Sequence, residues 1–194
     1  MSIAAAQTLW KARLNHDVLP RNFEAFPTSE EEAYAIQTAM IAHCDCELIG
    51  WKLGATLPTA METIGVKRPF IGPLFADFCY ENGKEVKVYP RQALETEFTI
   101  RMKSDLPYRK EAYHSKEVEE AIEAIIPSFE IIGCRFDGGI KNSEFRPIAD
   151  GGANVACILG QEFTKWDLDF LSNHKITLNL NGEKVAEGKA ADLY

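Results

Sequence analysis

One acidic residue inside an apolar run constrains the fold of this chain more than any other feature. The run from Ile125 to Gly133 reads Ile-Ile-Pro-Ser-Phe-Glu-Ile-Ile-Gly, which is typical of a buried strand with Glu130 inside it. Burying an unpaired carboxylate is costly. We therefore predict that Glu130 is neutralised, bound to a metal ion, or paired with a cation such as Lys52 or Arg135.

A second acidic feature lies upstream, where the residues from Leu94 to Met102 alternate between apolar and polar. In a strand, this period of two places Glu95 and Glu97 on the same face. Because Thr99 and Arg101 continue that polar row, a solvated strand face is the simpler alternative. Convergence with Glu130 would instead create a site of three carboxylates.

Such a site would select a hard cation. Oxygen ligands alone favour Mg²⁺ or Mn²⁺, because zinc and copper sites usually include His or Cys. None of the four histidines lies in these segments: His16, His43, His114 and His174. A 2-oxo acid is a suitable substrate, since its carboxylate and keto oxygens can chelate the ion while the ion stabilises an enolate.

Two further ionisable residues, Lys52 and Asp77, also lie in apolar segments. With a metal site nearby, they are candidates for the proton-handling pair, Lys52 as acid or base and Asp77 as its orienting partner. A buried ion pair without a catalytic role is the alternative. A third polar group belongs to the Gly-rich stretch 148–154, which is predicted to be a tight turn where Asp150 or Asn154 faces a ligand.

Composition excludes several classes of partner. The chain has 194 residues, 21 basic and 29 acidic, and a net charge of −8 without a cluster of Lys and Arg, so nucleic acid is not an expected partner. No segment has the length of a membrane span, and the five cysteines fit reduced thiols. We expect a soluble, cytoplasmic protein that has no membrane partner.

The pattern of elements predicts an α+β fold with a mainly antiparallel or mixed sheet. A first helix is expected from Ile3 to Leu14. A second helix is expected to begin at Ser29 as its cap, with Glu32 in a capping box. A third is expected from Ser115 to Ile126, where Pro127 would end it. Strands are expected at 154–159 and in a hairpin that turns at Asn181-Gly182. We expect one structural unit, with a helical segment (1–80) packed on a β-rich metal-binding core (81–194).

Several ordered motifs together resemble a known family, the 2-keto-4-pentenoate hydratase and 4-oxalocrotonate decarboxylase branch of the fumarylacetoacetate hydrolase superfamily. The resemblance begins at about residue 29 and continues to the end of the chain. It is carried by these segments: Ala33-Tyr34-Ala35-Ile36-Gln37, 50–56 (GWKLGAT), 72–77 (GPLFAD), Glu95-Thr96-Glu97, 129–135 (FEIIGCR) and Ile148-Ala149-Asp150.

The resemblance implies a mixed β-roll with N-terminal and flanking helices and a homo-oligomeric assembly. It further implies that Glu95, Glu97 and Glu130 hold Mg²⁺ or Mn²⁺, and that Lys52 and Asp77 lie near the reacting carbons. Family members act on unsaturated 2-oxo acids from catechol breakdown. Hydration of a 2-hydroxypentadienoate-type substrate is the leading expectation, and decarboxylation of a 4-oxalocrotonate-type substrate uses the same electron sink.

The sequence departs from the family pattern at 151–154, at Leu57 and at the end of the chain, where the family continues beyond the position of Tyr194. The short end has three alternative explanations: a truncated chain, completion by another chain, or a natural short form without catalysis. Two rival functions follow: an acylpyruvate carbon–carbon hydrolase, disfavoured because no His stands near these motifs, and a catalytically incomplete metal-binding or assembly module.

Overall fold

A computed structural model of the chain describes residues 2–23, 25–141 and 143–190. Within these ranges the elements are α-helices at Ser2–Asn15 (α1), Glu30–His43 (α2), Pro58–Ile64 (α3), Ser115–Glu120 (α4), Arg146–Ala149 (α5) and Leu168–Asn173 (α6), a 3-10 helix at Ala76–Phe78, and strands at Leu48–Gly54 (β1), Phe70–Phe75 (β2), Cys79–Glu81 (β3), Ala93–Met102 (β4), Ile122–Ile132 (β5), Asn154–Leu159 (β6), Lys175–Leu180 (β7) and Glu183–Lys189 (β8). The predicted α+β class is confirmed.

The strands form three sheets. β1 pairs with β2 in an antiparallel sheet, β7 pairs with β8 in a second one, and the third has the strand order β3-β6-β5-β4. Two backbone hydrogen bonds show how β5 runs relative to β6: Gly133 N–H donates to the Ala153 C=O, and Gly160 N–H donates to the Pro127 C=O. The paired position moves backwards along β5 as it advances along β6. These two central strands are therefore antiparallel.

The chain divides into two compact units. One contains residues 1–95 and 130–157, and the other contains 96–129 and 158–194. The core of the first unit is built from small and branched side chains of α1, α2 and α5 together with residues near β1 and β2, including Leu9, Ile36, Met40, Phe70 and Ile148. Small residues on the facing helices allow this close packing.

The two N-terminal helices form where the sequence predicts them. Ser29 caps α2, and its hydroxyl accepts a hydrogen bond from the Glu32 N–H at 3.2 Å. The Glu32 carboxylate accepts from the N–H and hydroxyl of Thr28, at 2.7 and 2.8 Å. It therefore reaches one residue further back than a standard capping box requires.

The predicted helix from Ser115 to Ile126 is wrong over its second half. The helix α4 ends at Glu120, its N-cap is His114 rather than Ser115, and β5 begins at Ile122. Ile125 exchanges both backbone hydrogen bonds with Phe163, at 3.0 and 2.9 Å, which fixes it in a strand. Strand pairing thus overrides a helical apolar spacing in a short segment, and Pro127 lies exposed inside the strand.

The predicted C-terminal hairpin is confirmed. Its turn residues Asn181 and Gly182 have φ values of 53° and 86°, the conformation of a type I′ turn. No disulfide links the five cysteines, all of which lie in the described part of the chain.

Candidate metal centre

Glu130 lies in β5, where the side chains of residues 126–130 alternate between buried and exposed. Only 2% of Glu130 is exposed. Its Oε2 lies 2.9 Å from Lys52 Nζ, and its Oε1 accepts a hydrogen bond from Asn154 Nδ2 at 2.7 Å. The buried carboxylate is thus paired with a cation, one of the outcomes predicted from its apolar surroundings.

The ion pair leaves Glu130 Oε2 able to accept a further hydrogen bond or to bind a further cation. Lys52 supplies charge to this oxygen, but Oε2 has no hydrogen bond of good geometry among the described residues. A buried carboxylate oxygen normally accepts at least one directed bond. This orphaned oxygen is therefore suited to a further positively charged partner.

Lys52 reaches Glu130 through a narrow space between glycines. β1 pairs with β2 so that Lys52 lies opposite Gly72. A Cβ on Gly152 would lie 2.9 Å from Lys52 Cδ, and one on Gly72 would lie 2.5 Å from the Gly151 carbonyl oxygen. The absence of a side chain at Gly152 lets the lysine stem pass, and at Gly72 it lets the backbone of 151–152 approach β2. Lys52 Nζ also donates to the Gly152 carbonyl oxygen at 3.4 Å.

The two other acidic residues lie on β4. One carboxylate oxygen from each of Glu95, Glu97 and Glu130 lies within 4.8 Å of the others. Partial desolvation raises the pKa of Glu95, the charge of Lys52 opposes the shift, and the charge of Glu130 adds to it. Three carboxylates this close repel one another unless a cation is shared between them.

This set fits a hard divalent cation. Adjacent oxygen ligands of an octahedral Mg²⁺ or Ca²⁺ ion lie roughly 3–3.5 Å apart. The three carboxylate oxygens lie within 4.8 Å of one another, so modest side-chain rotations would bring them to these distances. The donor set contains only carboxylate oxygens, as Mg²⁺ and Ca²⁺ prefer.

Asn154 connects Glu130 to a second buried network. While its amide donates to Glu130, its Oδ1 accepts a hydrogen bond from Arg13 Nη2 at 3.0 Å. Arg13 Nη1 also donates to the Asn154 carbonyl oxygen at 2.8 Å. Arg13 thereby holds Asn154 in the orientation that serves Glu130.

Asp150 belongs to the same network and is 1% exposed. Its two oxygens accept hydrogen bonds from Arg135, from the backbone N–H at 2.9 Å and from Nε at 2.5 Å. Burial raises the pKa of Asp150, and the adjacent Arg135 opposes that shift. These contacts give Asp150 a structural partner within the protein.

Asp77 lies in a different environment from Lys52. It is exposed on the 3-10 helix, and its Oδ2 accepts a hydrogen bond from Cys46 Sγ at 3.1 Å. Burial and this bond to Asp77 raise the pKa of the Cys46 thiol to about 11. The structure therefore pairs Lys52 with Glu130, whereas Asp77 contacts a thiol.

Sequence reasoning missed Arg13. It lies on the apolar face of α1, four residues after Leu9, and only 3% of it is exposed. A basic residue in the register of an apolar helical stripe was the available signal. Its partners could not be identified, because they lie about 140 residues away in the chain.

Comparison with known proteins identifies relatives along most of the chain. This chain is 27% identical over 195 residues to the 2-keto-4-pentenoate hydratase of Paraburkholderia xenovorans LB400, and the alignment covers 96% of this chain and 71% of that protein. It is 25% identical over 198 residues to the 4-oxalocrotonate decarboxylase of Pseudomonas sp. CF600, covering 97% and 73%. No family model matches.

Solved structures show the same fold. The 4-oxalocrotonate decarboxylase of Pseudomonas putida G7 complexed with magnesium and adipate has a TM-score of 0.82 at 23% identity, covering 99% of this chain and 74% of that one. The same enzyme with calcium and acetate has a TM-score of 0.84 at 24% identity and the same coverage. The predicted resemblance to the 2-keto-4-pentenoate hydratase and 4-oxalocrotonate decarboxylase branch is confirmed, because this chain is similar to proteins of both names.

The described residues contain no helix that is both long and apolar enough to cross a membrane.

Proposed function

We propose that this chain is a divalent-metal-dependent lyase that hydrates a small unsaturated 2-oxo acid of the 2-hydroxypentadienoate type. The observation that carries the proposal is the cluster of Glu95, Glu97 and Glu130, whose oxygens lie within 4.8 Å of one another beside the buried Lys52. Relatives that bear the names hydratase and decarboxylase support the same class of chemistry.

Glu95, Glu97 and Glu130 would hold the metal. When bound, a divalent cation acts as a Lewis acid that polarises a carbonyl oxygen and stabilises enolate charge. Magnesium and calcium accompany the structural relatives. We expect Mg²⁺ to support activity, and Mn²⁺ to replace it because the two ions share a preference for carboxylate oxygens.

Lys52 has two roles in this proposal. Its ammonium lies 2.9 Å from Glu130 and balances the charge of this buried carboxylate, which would leave the carboxylate available to a metal ion. It also offers its remaining protons to an anionic substrate or to a carbon that is being protonated. Its low exposure of 8% keeps most water away from the ammonium.

Asn154 is proposed to act as a positioning residue. It donates to Glu130 Oε1 and is held by Arg13, so it orients the carboxylate. Direct contact with substrate remains a prediction for Asp150 and Asn154, as does the orienting role of Asp77. A homo-oligomeric state is likewise proposed from the resemblance.

Decarboxylation of a 4-oxalocrotonate-type substrate is the second candidate, because both structural neighbours carry that name. The two reactions can be separated directly. The purified chain should be incubated with Mg²⁺ and either 2-hydroxypenta-2,4-dienoate or 4-oxalocrotonate, and the products and any released CO₂ measured.

Hydration of the dienoate without CO₂ release supports the proposal. Release of CO₂ from 4-oxalocrotonate alone would select the second candidate. A folded protein that binds Mg²⁺ but converts neither substrate would overturn the lyase proposal and favour a metal-binding module.

A further inference from the structure

A cavity of about 250 Å³ lies in the first unit, apart from the carboxylate cluster. Its walls come from the end of α1, the segment 84–92, and residues 133–135 and 155–156. Neither Lys52 nor any of the three proposed metal ligands lines it. The cavity is therefore not accounted for by the proposed lyase chemistry.

The charges around this cavity favour an anion. The Arg and Lys residues that line it are Arg13, Lys84, Lys87, Arg91 and Arg135. The acidic residues that line it are Asp17 and Glu85. Arg91 and Arg135 are paired with Asp137 and Asp150, which lie outside the lining. Three cations thus remain against two carboxylates, an excess of one positive charge that fits a monoanion.

Arg13 is the most deeply buried of the three cations that remain, and no ion pair with a carboxylate is found for it among the described residues. It is 3% exposed, and its Nε has no hydrogen-bond partner among the residues that the structure describes. Its other donors bind carbonyl and amide oxygens rather than a carboxylate. Burial, together with the like charge of Arg135, lowers the pKa of Arg13 to about 9.

Aromatic rings provide the apolar part of the wall. His16 stacks on Tyr89 with ring centroids 4.0 Å apart and an angle of 22° between the planes, and Phe78 lies beneath the Arg13 guanidinium at 4.2 Å. His16 has a φ of 57°, an unusual value for a residue with a side chain, at the end of α1. Lys87 Nζ also lies 4.7 Å from the Tyr89 ring centroid, so the rings bring apolar surface and cations together in one wall.

We propose that this cavity binds a small planar organic monocarboxylate at a site separate from the metal cluster. The carboxylate would lie among Arg13, Lys84 and Lys87, where the positive charge is in excess. The planar body would contact the aromatic wall formed by Phe78, Tyr80 and Tyr89. This inference does not depend on the proposed lyase activity.

Calorimetric titration of the chelator-treated, metal-free protein with benzoate tests the site, and benzamide serves as the uncharged ligand of equal shape. Replacing Arg13 would also remove its bonds to Asn154, so the tested variant is Lys84→Ala with Lys87→Ala, both exposed in the segment 84–92. The matched control is Lys110→Ala with Lys116→Ala, two exposed lysines of the second unit.

We expect benzoate to bind at least about tenfold more tightly than benzamide, and the Lys84/Lys87 variant to lose at least about fivefold in affinity. The Lys110/Lys116 control should bind benzoate like the unmodified protein.

Three results would overturn the proposal. The first is equal affinity for benzoate and benzamide, or benzoate binding weaker than about 10 mM. The second is an unchanged affinity in the Lys84/Lys87 variant. The third is benzoate binding that requires added Mg²⁺ and disappears in Glu97→Gln, which would place the carboxylate on the metal instead.

Discussion

At the scale of single residues, Glu130 combines burial, an ion pair and an orphaned oxygen. Replacing it by Gln keeps the shape but removes the charge that a cation needs. We predict that Glu130→Gln weakens Mg²⁺ binding at least about tenfold, consistent with losing a charged ligand from a partly buried site. Titration calorimetry measures the affinity.

The control for this change is Glu120→Gln, an exposed acidic residue at the end of α4. It should leave the affinity for Mg²⁺ unaltered. If the two variants bind Mg²⁺ equally well, Glu130 is not a ligand.

Lys52 offers a second prediction, because it neutralises Glu130 at 2.9 Å. Replacing Lys52 by Met leaves a buried carboxylate unpaired, which costs about 3–5 kcal/mol of unfolding free energy. We expect Lys52→Met to be much less stable than the unmodified protein without metal, and Mg²⁺ to recover part of the loss. Urea unfolding with and without Mg²⁺ measures both values.

Lys116→Met is the matched control, since Lys116 is exposed and lies on α4. Its stability should stay within about 0.5 kcal/mol of the original value. A Lys52→Met protein as stable as this control would mean that the ion pair with Lys52 does not stabilise the buried Glu130.

At the scale of elements, the close approach of β1, β2 and the turn before β6 depends on glycine. A Cβ on Gly152 would lie 2.9 Å from Lys52 Cδ and 3.0 Å from Gly72 Cα. We predict that Gly152→Ala lowers the unfolding free energy by about 2–4 kcal/mol, from backbone strain and overpacking together. Chemical denaturation measures the loss.

Gly139→Ala isolates the packing contribution. Gly139 also has a positive φ, 68° against 79° for Gly152, but an added Cβ would meet nothing within 4 Å. The loss of unfolding free energy in Gly139→Ala should therefore be limited to about 1 kcal/mol, from backbone strain alone. Equal losses in the two variants would show that the close approach at Gly152 is unimportant.

The helix α4 carries a pH-dependent contact at its N-terminus. Glu117 accepts hydrogen bonds from Arg109 at 2.8 and 2.6 Å and from the His114 N–H at 2.8 Å, and these contacts lower the pKa of Glu117 to about 2. A carboxyl whose pKa is lowered on folding stabilises the protein above its unfolded pKa of roughly 4.3 and loses that effect as the pH falls towards 2.

We therefore expect Glu117→Gln to be less stable than the original protein at pH 7 and the difference to shrink between pH values of about 4.3 and 2. Urea midpoints at several pH values measure it. Glu119→Gln, an exposed residue of the same helix, should show no such trend. A constant difference across this range would exclude the lowered pKa.

At the scale of the whole molecule, a metal ion that binds only the folded chain should raise its thermal midpoint. At a Mg²⁺ concentration about 100 times the dissociation constant, the gain is roughly 2.7 kcal/mol, or about 5–10 °C for a chain of this size. Chelator should reverse the shift, and Glu97→Gln should reduce it. A midpoint that does not respond to Mg²⁺ or Ca²⁺ would count against the carboxylate cluster as a metal site.

The sequence by itself determined much of the local structure and the chemistry of the cluster. The cap at Ser29, the turn at Asn181-Gly182 and the alternation that places Glu95 and Glu97 on one face depend on neighbours within a few residues, so they can be read along the chain. The apolar residues on both sides of Glu130 likewise show that it needs a partner, because a buried carboxylate without one is costly.

Only the tertiary structure decided which partner Glu130 takes. Lys52, Asn154 and Arg13 reach it or one another from distant parts of the chain, and Asp77 contacts Cys46 instead. The change from helix to strand at Ile122 was also decided there, because the bonds between Ile125 and Phe163 outweigh a local helical pattern. Contacts between residues far apart in sequence leave no periodic trace along the chain, since they depend on how the completed elements pack.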